Sequence, residues 1–412
     1  MSKPSLASMA GMFVALALAM IGNYYVYDSI GPVAELLSRQ LEFSDTQIGT
    51  LNAVYSLPNI IMVLIGGLLV DRYSARSVTL VTTIVCFTGA VLTALGSEFA
   101  TMVAGRLLFG LGAETMIVAV TVALAQWFVG RYFALLFALN ITFARLGSYL
   151  ADRSPSFADD LYAQGWQPPL WLAAGFAALA VGGALAYWLL DRREAARGTL
   201  ALAPQRKPIE WWDLLNFRTE YWLIVATCVA FYSVIFPFRS TFSIKYFQEA
   251  HGLTLEAAST LNSYVFLAAM FATPAFGLLV DRFGRHALLL TLGALALPLS
   301  FLVLAMPGQA PLSGATILLG ISFSMVPAVL WPAVARYAAP EQLGTAFGLL
   351  TAVQQAGVFV TNIAAGYVND QYAASATNPG GYTAMLWLFG GLSAMAFVCA
   401  AILWMRGVHQ RA

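Results

Sequence analysis

The sequence predicts an all-α membrane protein in which twelve transmembrane helices form two pseudo-symmetric six-helix bundles. Three observations support this fold class. Hydrophobic residues make up 60% of the 412-residue chain and charged residues only 10%, whereas soluble domains carry about 25% charged residues. Twelve apolar stretches occur, six on each side of one long polar segment. A six-residue sequence is present once in each half.

The twelve apolar stretches are long enough to cross a bilayer, because a spanning helix needs about 20 mainly apolar residues. A soluble chain of this length could not bury so much apolar surface in one core, so lipid must cover much of it. The stretches lie near 7–36, 44–70, 78–97, 100–128, 132–154, 168–191, 219–247, 254–280, 287–306, 311–337, 343–369 and 381–405.

The long polar segment predicts the domain division. We expect an N-terminal bundle at 1–191, a cytoplasmic linker at 192–216 and a C-terminal bundle at 217–412. Trp211 and Trp212 suggest that part of the linker is a short amphipathic piece at the membrane interface. A disordered tether is the alternative.

Basic residues predict the orientation. With the N-terminus inside, all but six of the 21 Lys and Arg residues fall in cytoplasmic loops, tails or the linker. This asymmetry follows the positive-inside rule, so we expect both termini to be cytoplasmic. The first apolar run is long and lacks a cleavage-like end, which indicates a helix rather than a signal peptide. Short tails without an acidic dileucine signal favour a bacterial inner membrane.

Several function classes find no support in the sequence. A net charge of +1 gives no reason to expect nucleic-acid binding. No Lys follows Gly, so the Gly-Lys-Ser/Thr motif of nucleotide hydrolysis is absent. Cys86, Cys228 and Cys399 show neither disulfide nor metal spacing. We therefore expect no enzyme, no cofactor and no metal, and a monomer in the bilayer.

The six-residue repeat is Gly67-Leu68-Leu69-Val70-Asp71-Arg72, which recurs as Gly277-Leu278-Leu279-Val280-Asp281-Arg282. Each copy ends the second helix of its half, and parallel repeats of this kind are typical of secondary transporters. An Asp there can cap a neighbouring helix and interact with its positive dipole. Asp71, Arg72, Asp281 and Arg282 are therefore predicted to gate the passage rather than bind substrate. Ordinary topogenic charges are the alternative.

These repeats resemble the signature of the major facilitator superfamily, in which Gly and Asp-Arg precede Gly and basic residues. Gly277, Asp281, Arg282, Gly284 and Arg285 match it well. The first copy is degenerate, because Ser74 and Ala75 stand where the family usually has Gly and a basic residue. The resemblance implies the major facilitator fold over the whole chain, with alternating access through a central cavity.

Further strings resemble a narrower family, the major facilitator superfamily domain-containing protein 1 dipeptide uniporters. The resemblance implies transport of dipeptides, with residues of the fourth and fifth helices holding the two peptide termini. The strings are Tyr55-Ser56-Leu57-Pro58-Asn59, 105–114, Ala144-Arg145-Leu146-Gly147-Ser148, Phe236-Pro237-Phe238, Leu330-Trp331-Pro332 and 343–348.

Glu114 and Arg145 are the charges predicted deepest in the bilayer. At about 1.5 Å per residue, each lies about 20 Å from the cytoplasmic end of its helix. A charge at mid-bilayer costs at least about 2.5–3.5 kcal/mol, so both indicate function. We predict that Glu114 binds a substrate amine and Arg145 a carboxylate. A structural ion pair and a proton-coupling role for Glu114 stay open.

Other polar and aromatic residues are predicted to line the cavity or to couple transport. Arg106 lies too far along its helix to pair with Glu114 and is expected to meet Asp28 or backbone carbonyls. Asp28, Arg106 and Glu114 are candidates for coupling. Tyr24 shares a helix face with Asp28. The remaining predicted substrate contacts are Tyr25, Asp28, Asn140, Tyr232, Trp331, Gln354 and Gln355.

The sequence therefore favours uniport of dipeptides or similar small zwitterions, because few acids lie in the helices. Two alternatives stay open. One is a proton-coupled carrier of organic anions or drugs, which a pH gradient would drive. The other is a membrane sensor or assembly partner that does not transport, for which reconstituted protein would show neither uptake nor counterflow.

Overall fold

The structure is a computed structural model of the chain. It describes residues 5–128, 133–197, 217–283, 286–306, 309–338 and 342–409. The predicted linker at 192–216 lies outside the described residues from 198 onward. The side chain of Asp281 also lies outside them.

Twelve long helical segments make up most of the described residues, with a short helix at Asp159–Ala163 and a 3₁₀ turn at Pro379–Tyr382. The twelve are α1 (Leu6–Leu41), α2 (Asp45–Tyr73), α3 (Ala75–Leu95), α4 (Phe99–Trp127), α5 (Phe133–Phe157), α6 (Gln167–Ala196), α7 (Thr219–His251), α8 (Leu255–Phe283), α9 (His286–Leu304), α10 (Gln309–Tyr337), α11 (Leu343–Gln371) and α12 (Thr383–His409).

Length and hydropathy mark most of these helices as membrane spans. Among the described residues, 9 helices are long and apolar enough to cross a bilayer, or 10 when the bent α2 counts as one span. The two others, α5 and α8, run for 25 and 29 residues. The chain is thus a multi-pass membrane protein, and each of the twelve predicted stretches is helical.

The chain divides into two compact units. The first comprises 1–36 and 54–207, and the second comprises 37–53 and 208–412. The end of α1 and the start of α2 therefore belong to the second unit. The predicted boundary at the linker stays a prediction.

Small residues let the helices of the first unit approach closely. A Cβ on Gly147 of α5 would lie 2.3 Å from the carbonyl oxygen of Ile21 on α1. A Cβ on Gly110 of α4 would lie 2.4 Å from the carbonyl oxygen of Tyr55 on α2. Only glycine fits at these two crossings, which fix the positions of α1, α2, α4 and α5 around the site described below.

The second unit contains an irregular turn in α7. Residues Phe238–Phe242 form a π-helix, which leaves backbone carbonyls without their usual helical partners. Side chains supply the missing donors. Asn262 donates to the carbonyl of Arg239 at 3.1 Å, and Asn52 donates to the carbonyl of Ser240 at 3.0 Å. Such compensation is required because lipid offers no hydrogen bonds.

Candidate substrate-binding site

The site in the first unit centres on Tyr24 of α1. Its side chain lies close enough to Glu114 of α4 and Arg145 of α5 to interact electrostatically with both, and it interacts with Asp28 as well. Arg145 is buried, with 9% of its surface exposed, whereas Glu114 is partly exposed. The structure therefore brings together the two charges that the sequence placed at one depth.

Tyr55 of α2 extends this group. It lies near Glu114, Tyr24 and Tyr27. Its ring lies 4.7 Å from the ring of Tyr27 and 5.4 Å from that of Phe109. The close crossing of α2 and α4 at Gly110 explains this position. A carboxylate, a guanidinium and phenol hydroxyls can bind a ligand that carries both charges.

Arg106 of α4 lies against an interrupted part of α1. The helix breaks at Ser29, and Pro32 lacks the N–H that would bond the carbonyl four residues earlier. Arg106 donates to the carbonyls of Val26 and Tyr27, at 3.0 and 3.1 Å. The residue is 1% exposed.

Both kinds of partner expected for Arg106, backbone carbonyls and Asp28, are found near it. The carbonyls of α1 accept its hydrogen bonds, and Asp28 contributes to its electrostatic environment. Asp28 itself is 1% exposed. These contacts give Arg106 a clear role in stabilising the break in α1. The coupling roles of Asp28, Arg106 and Glu114 stay predictions.

Two further predicted contacts of the first unit are buried. Tyr25 is 2% exposed and stacks on Phe176 of α6, with ring centroids 3.8 Å apart. Asn140 is 2% exposed, and its Oδ1 atom has no hydrogen-bond partner among the described residues. Tyr25 therefore packs between α1 and α6. Their substrate contacts stay predictions.

The predicted contacts of the second unit lie on α7, α10 and α11. Trp331 donates from Nε1 to the hydroxyl of Tyr232 at 3.3 Å and stacks on Phe347. Cys228 donates from Sγ to Oε1 of Gln354 at 3.5 Å. Gln354 is 6% exposed and Gln355 is 7% exposed. These side chains offer aromatic faces and amide groups.

The predicted gating residues lie at the ends of α2 and α8. Asp71, Arg72 and Arg282 are exposed, and the Arg72 guanidinium lies 5.3 Å from the ring centroid of Tyr73. The described contacts include no partner that would establish a gate, so this role stays a prediction.

A polar cluster near the start of α3 escaped the sequence reasoning. Asp191 of α6 forms a salt bridge with Arg76 at 3.3 Å and accepts a hydrogen bond from Nε1 of Trp127 at 2.8 Å. Asp191 and Trp127 each end a predicted span, where a charge or an aromatic ring is ordinary. Their sequence positions carried no signal that α3, α4 and α6 meet there.

In the described part of the chain, twelve long helices, nine or ten of them apolar enough to cross a bilayer, together with buried charges define a polytopic membrane protein of the secondary-transporter class. The family model described as Major Facilitator Superfamily matches residues 13–258 and 223–412. The chain therefore belongs to the Major Facilitator Superfamily, as the repeats predicted.

Several characterised transporters are similar in sequence. The lysosomal dipeptide transporter MFSD1 of Homo sapiens is 31% identical over 370 residues, covering 85% of this chain and 77% of the relative. The same transporter of Danio rerio is 31% identical over 361 residues, covering 85% and 78%. The hexuronate transporter of Bacillus subtilis is 23% identical over 402 residues, covering 92% and 91%. The chain is thus a transporter related to the dipeptide family that its motifs resembled.

Solved structures confirm the fold class. The nucleoside transporter NupG superposes with a TM-score of 0.74 at 15% identity, covering 95% of this chain and 98% of that one. A bacterial homologue of the human lysosomal transporter Spinster gives a TM-score of 0.73 at 14% identity, covering 98% and 97%. The relatives are transporters rather than enzymes, in agreement with the sequence analysis.

Proposed function

We propose that this protein transports dipeptides or similar small zwitterions by alternating access, as a uniporter. Glu114 binds the substrate amine and Arg145 binds its carboxylate. The observation that carries the proposal is the proximity of both charges to one side chain, Tyr24. A zwitterion needs one partner of each sign, and a site with only one of them would leave a ligand charge desolvated and unpaired.

The chemistry of the two side chains supports these roles. The guanidinium of Arg145 is planar and presents two parallel N–H donors to a carboxylate. The carboxylate of Glu114 accepts hydrogen bonds from an ammonium group. Buried ionisable groups in membrane helices are costly, and their presence favours a functional explanation.

The similarity to the lysosomal dipeptide transporters points to the same substrate class. The matched region covers 85% of this chain, and it includes the strings around Glu114 and Arg145. Tyr232, Trp331, Gln354 and Gln355 are proposed as further substrate contacts.

The basic-residue asymmetry supports an orientation with both termini cytoplasmic, and we propose a cell inner membrane as the location. We expect the transporter to act as a monomer.

A ligand panel tests the proposed site. The purified protein is mixed with an amino acid, a dipeptide, a tripeptide and a dipeptide blocked at both termini, and thermal stabilisation is measured. We expect stabilisation by the free dipeptide and its loss when both termini are blocked. Equal stabilisation by blocked and free dipeptides would refute the zwitterion site.

Transport itself is tested in proteoliposomes. Counterflow of a labelled dipeptide should occur without a pH gradient, because a uniporter needs no proton. Uptake that depends on a pH gradient would favour symport instead. Absence of both uptake and counterflow, with dipeptide binding retained, would favour the sensor alternative.

A second candidate is a carrier of organic anions. It is favoured by the 23% identity to a hexuronate transporter and to a probable sulfoacetate transporter. An anion would need Arg145 but not Glu114. Binding of a simple carboxylate that is unaffected by Glu114→Gln would support this candidate over the dipeptide proposal.

A further inference from the structure

A group of polar atoms on α2 and α4 is buried without hydrogen bonds. Within the described part of the chain, both amide atoms of Asn59 and the hydroxyls of Ser56 and Thr115 have no partner. Asn59 and Thr115 are 0% exposed, and Ser56 is 1% exposed. Because over about 90% of buried polar groups in proteins are hydrogen-bonded, this concentration requires an explanation.

Other threonines in the same unit show what Thr115 lacks. Thr121, also on α4, donates to the carbonyl of Ile117 at 2.9 Å. Thr93 of α3 donates to the carbonyl of Gly89 at 2.8 Å. This bond to the residue four positions earlier is the usual way in which a helix satisfies a hydroxyl. The hydroxyl of Thr115 does not form this bond, although Thr115 also lies within a helix.

Two contacts between α2 and α4 place these atoms beside the proposed site. Gly110 lies against Tyr55, as described above. Further along both helices, a Cβ on Gly66 would lie 3.5 Å from the Cα of Thr115. The helices therefore touch at two levels, one at Tyr55 and one at Thr115.

Asn59 and Glu114 both fall in the interval between these levels. Asn59 follows Tyr55 by one turn on α2, and Glu114 follows Gly110 by one turn on α4. The electrostatic interaction of Tyr55 with Glu114 agrees with this register. The amide of Asn59 thus lies on the part of α2 that is level with the predicted amine-binding carboxylate.

We propose that Asn59, assisted by Thr115, binds the peptide group of the substrate. This inference rests on the proposed transport of dipeptides. A carboxamide offers one acceptor and two donors, and a peptide group presents a carbonyl and an N–H that match them. When the two termini are bound by opposite charges, the peptide group lies between them.

The proposal explains how the protein would distinguish a dipeptide from another zwitterion of equal length. A site that is built to hydrogen-bond one group of the ligand binds a ligand without that group more weakly, because the buried polar atoms of the site then stay unpaired. Pro58 and the bend of 62° between Asp45–Met62 and Ile65–Tyr73 flank Asn59. A ligand can reach the amide only if this irregular part of α2 shifts, which belongs to the proposal.

Two ligands isolate the peptide group. Glycylglycine and 5-aminopentanoate have the same number of chain atoms between amine and carboxylate, but only the first has a peptide bond. We expect the unmodified protein to bind glycylglycine about tenfold more tightly or better, as measured by calorimetry. Asn59→Ala should remove this preference and leave the affinity for 5-aminopentanoate unchanged.

Thr115→Val provides a second, isosteric variant that tests the same pocket if Asn59→Ala fails to fold. It should reduce the preference for glycylglycine by about threefold or more. Thr121→Val is the matched control on the same helix and should retain the full preference.

The possible failures are distinguishable. If the unmodified protein binds neither ligand, the proposed zwitterion transport is wrong and this inference falls with it. If both ligands bind and the preference survives Asn59→Ala, only the role of Asn59 is refuted. Equal weakening of both ligands would make Asn59 a structural residue and would also overturn the proposal.

Discussion

Asp370, at the end of α11, accepts a hydrogen bond from the backbone N–H of Asp45, the first residue of α2, at 2.8 Å. The same carboxylate accepts the N–H and the hydroxyl of Thr46, at 2.9 and 2.5 Å. Ser44 and Gln47 form a reciprocal capping pair beside it. Side chains therefore satisfy the first three N–H groups of α2, and a negative charge meets its positive dipole end.

Removal of the Asp370 carboxylate should destabilise this helix start. Asp370→Ala leaves two N–H groups without their acceptor and should cost about 1–2 kcal/mol. Asp370→Asn keeps an acceptor and should cost less. Thermal unfolding in detergent measures both, with Asp160→Ala in the short helix as a control that should change little. Equal melting temperatures for the Ala variant and the unmodified protein would contradict the capping role.

The carboxylate of Asp45 lies in a buried ion pair within the second unit. Lys245 of α7 donates to it, as does Nδ2 of Asn369 at 2.7 Å. Asp45 is 3% exposed and Lys245 is 5% exposed. Lys245 also donates to the hydroxyl of Ser38 at 3.0 Å. These bonds attach the 37–53 segment to α7 and α11.

Lys245→Met should therefore be strongly destabilising, because it leaves a buried carboxylate without its cation. Loss of one partner of a buried pair costs about 3–5 kcal/mol. The double variant Lys245→Met with Asp45→Asn should recover part of the loss, since no buried charge remains. Arg193→Met, which removes an exposed arginine of α6, is the control. A double variant no more stable than Lys245→Met would argue against an electrostatic cause.

The fold was predictable because lipid imposes a simple rule on sequence. Every backbone polar group in the bilayer must be bonded within its own helix, so apolar runs of sufficient length become helices. The prediction that Glu114 and Arg145 lie at equal depth rests on the same regularity, since each helical residue adds a constant rise. The repeat of Asp71-Arg72 at Asp281-Arg282 indicated two related halves.

The contacts between helices were not predictable in this way. The capping of α2 by Asp370 and the ion pair of Lys245 with Asp45 depend on which helices touch. The periodicity of apolar residues along one sequence does not show which helices are neighbours. The π-helical turn at Phe238–Phe242 likewise depends on its neighbours, because Asn52 and Asn262 supply the donors that stabilise it. Contacts between helices and irregular backbone were therefore the features that the sequence reasoning missed.

Arg106 should be needed for stability rather than for ligand selectivity. Its two terminal nitrogens bond two carbonyls of the interrupted α1, and a lysine lacks the planar fork of two nitrogens that reaches both carbonyls in this geometry. Arg106→Lys should lower the melting temperature by several degrees and leave the relative affinities of different ligands unchanged. Ligand titration of the folded fraction tests the second part. A selective loss of one ligand class would instead favour a coupling or binding role.

Neutralisation of either pole of the proposed site should abolish dipeptide binding without unfolding the protein. Glu114→Gln removes the partner of the amine, and Arg145→Ala removes the partner of the carboxylate. Each change leaves one ligand charge unpaired in a desolvated site, so affinity should fall by at least about 2 kcal/mol, or roughly 30-fold.

Ligand-induced thermal stabilisation measures this loss, and the melting temperature without ligand reports on folding. Arg153→Gln, two turns further along α5 from Arg145, is the matched control and should bind dipeptide normally. Glu114→Gln should reduce the affinity for a dipeptide blocked only at its amine less than the affinity for the free dipeptide. In the same way, Arg145→Ala should reduce the affinity for a dipeptide blocked only at its carboxylate less than the affinity for the free dipeptide. If both variants bind dipeptide unchanged, the two charges are a structural pair. Loss of folding in both variants would support that same structural role, because removal of either charge would then leave the other buried and uncompensated.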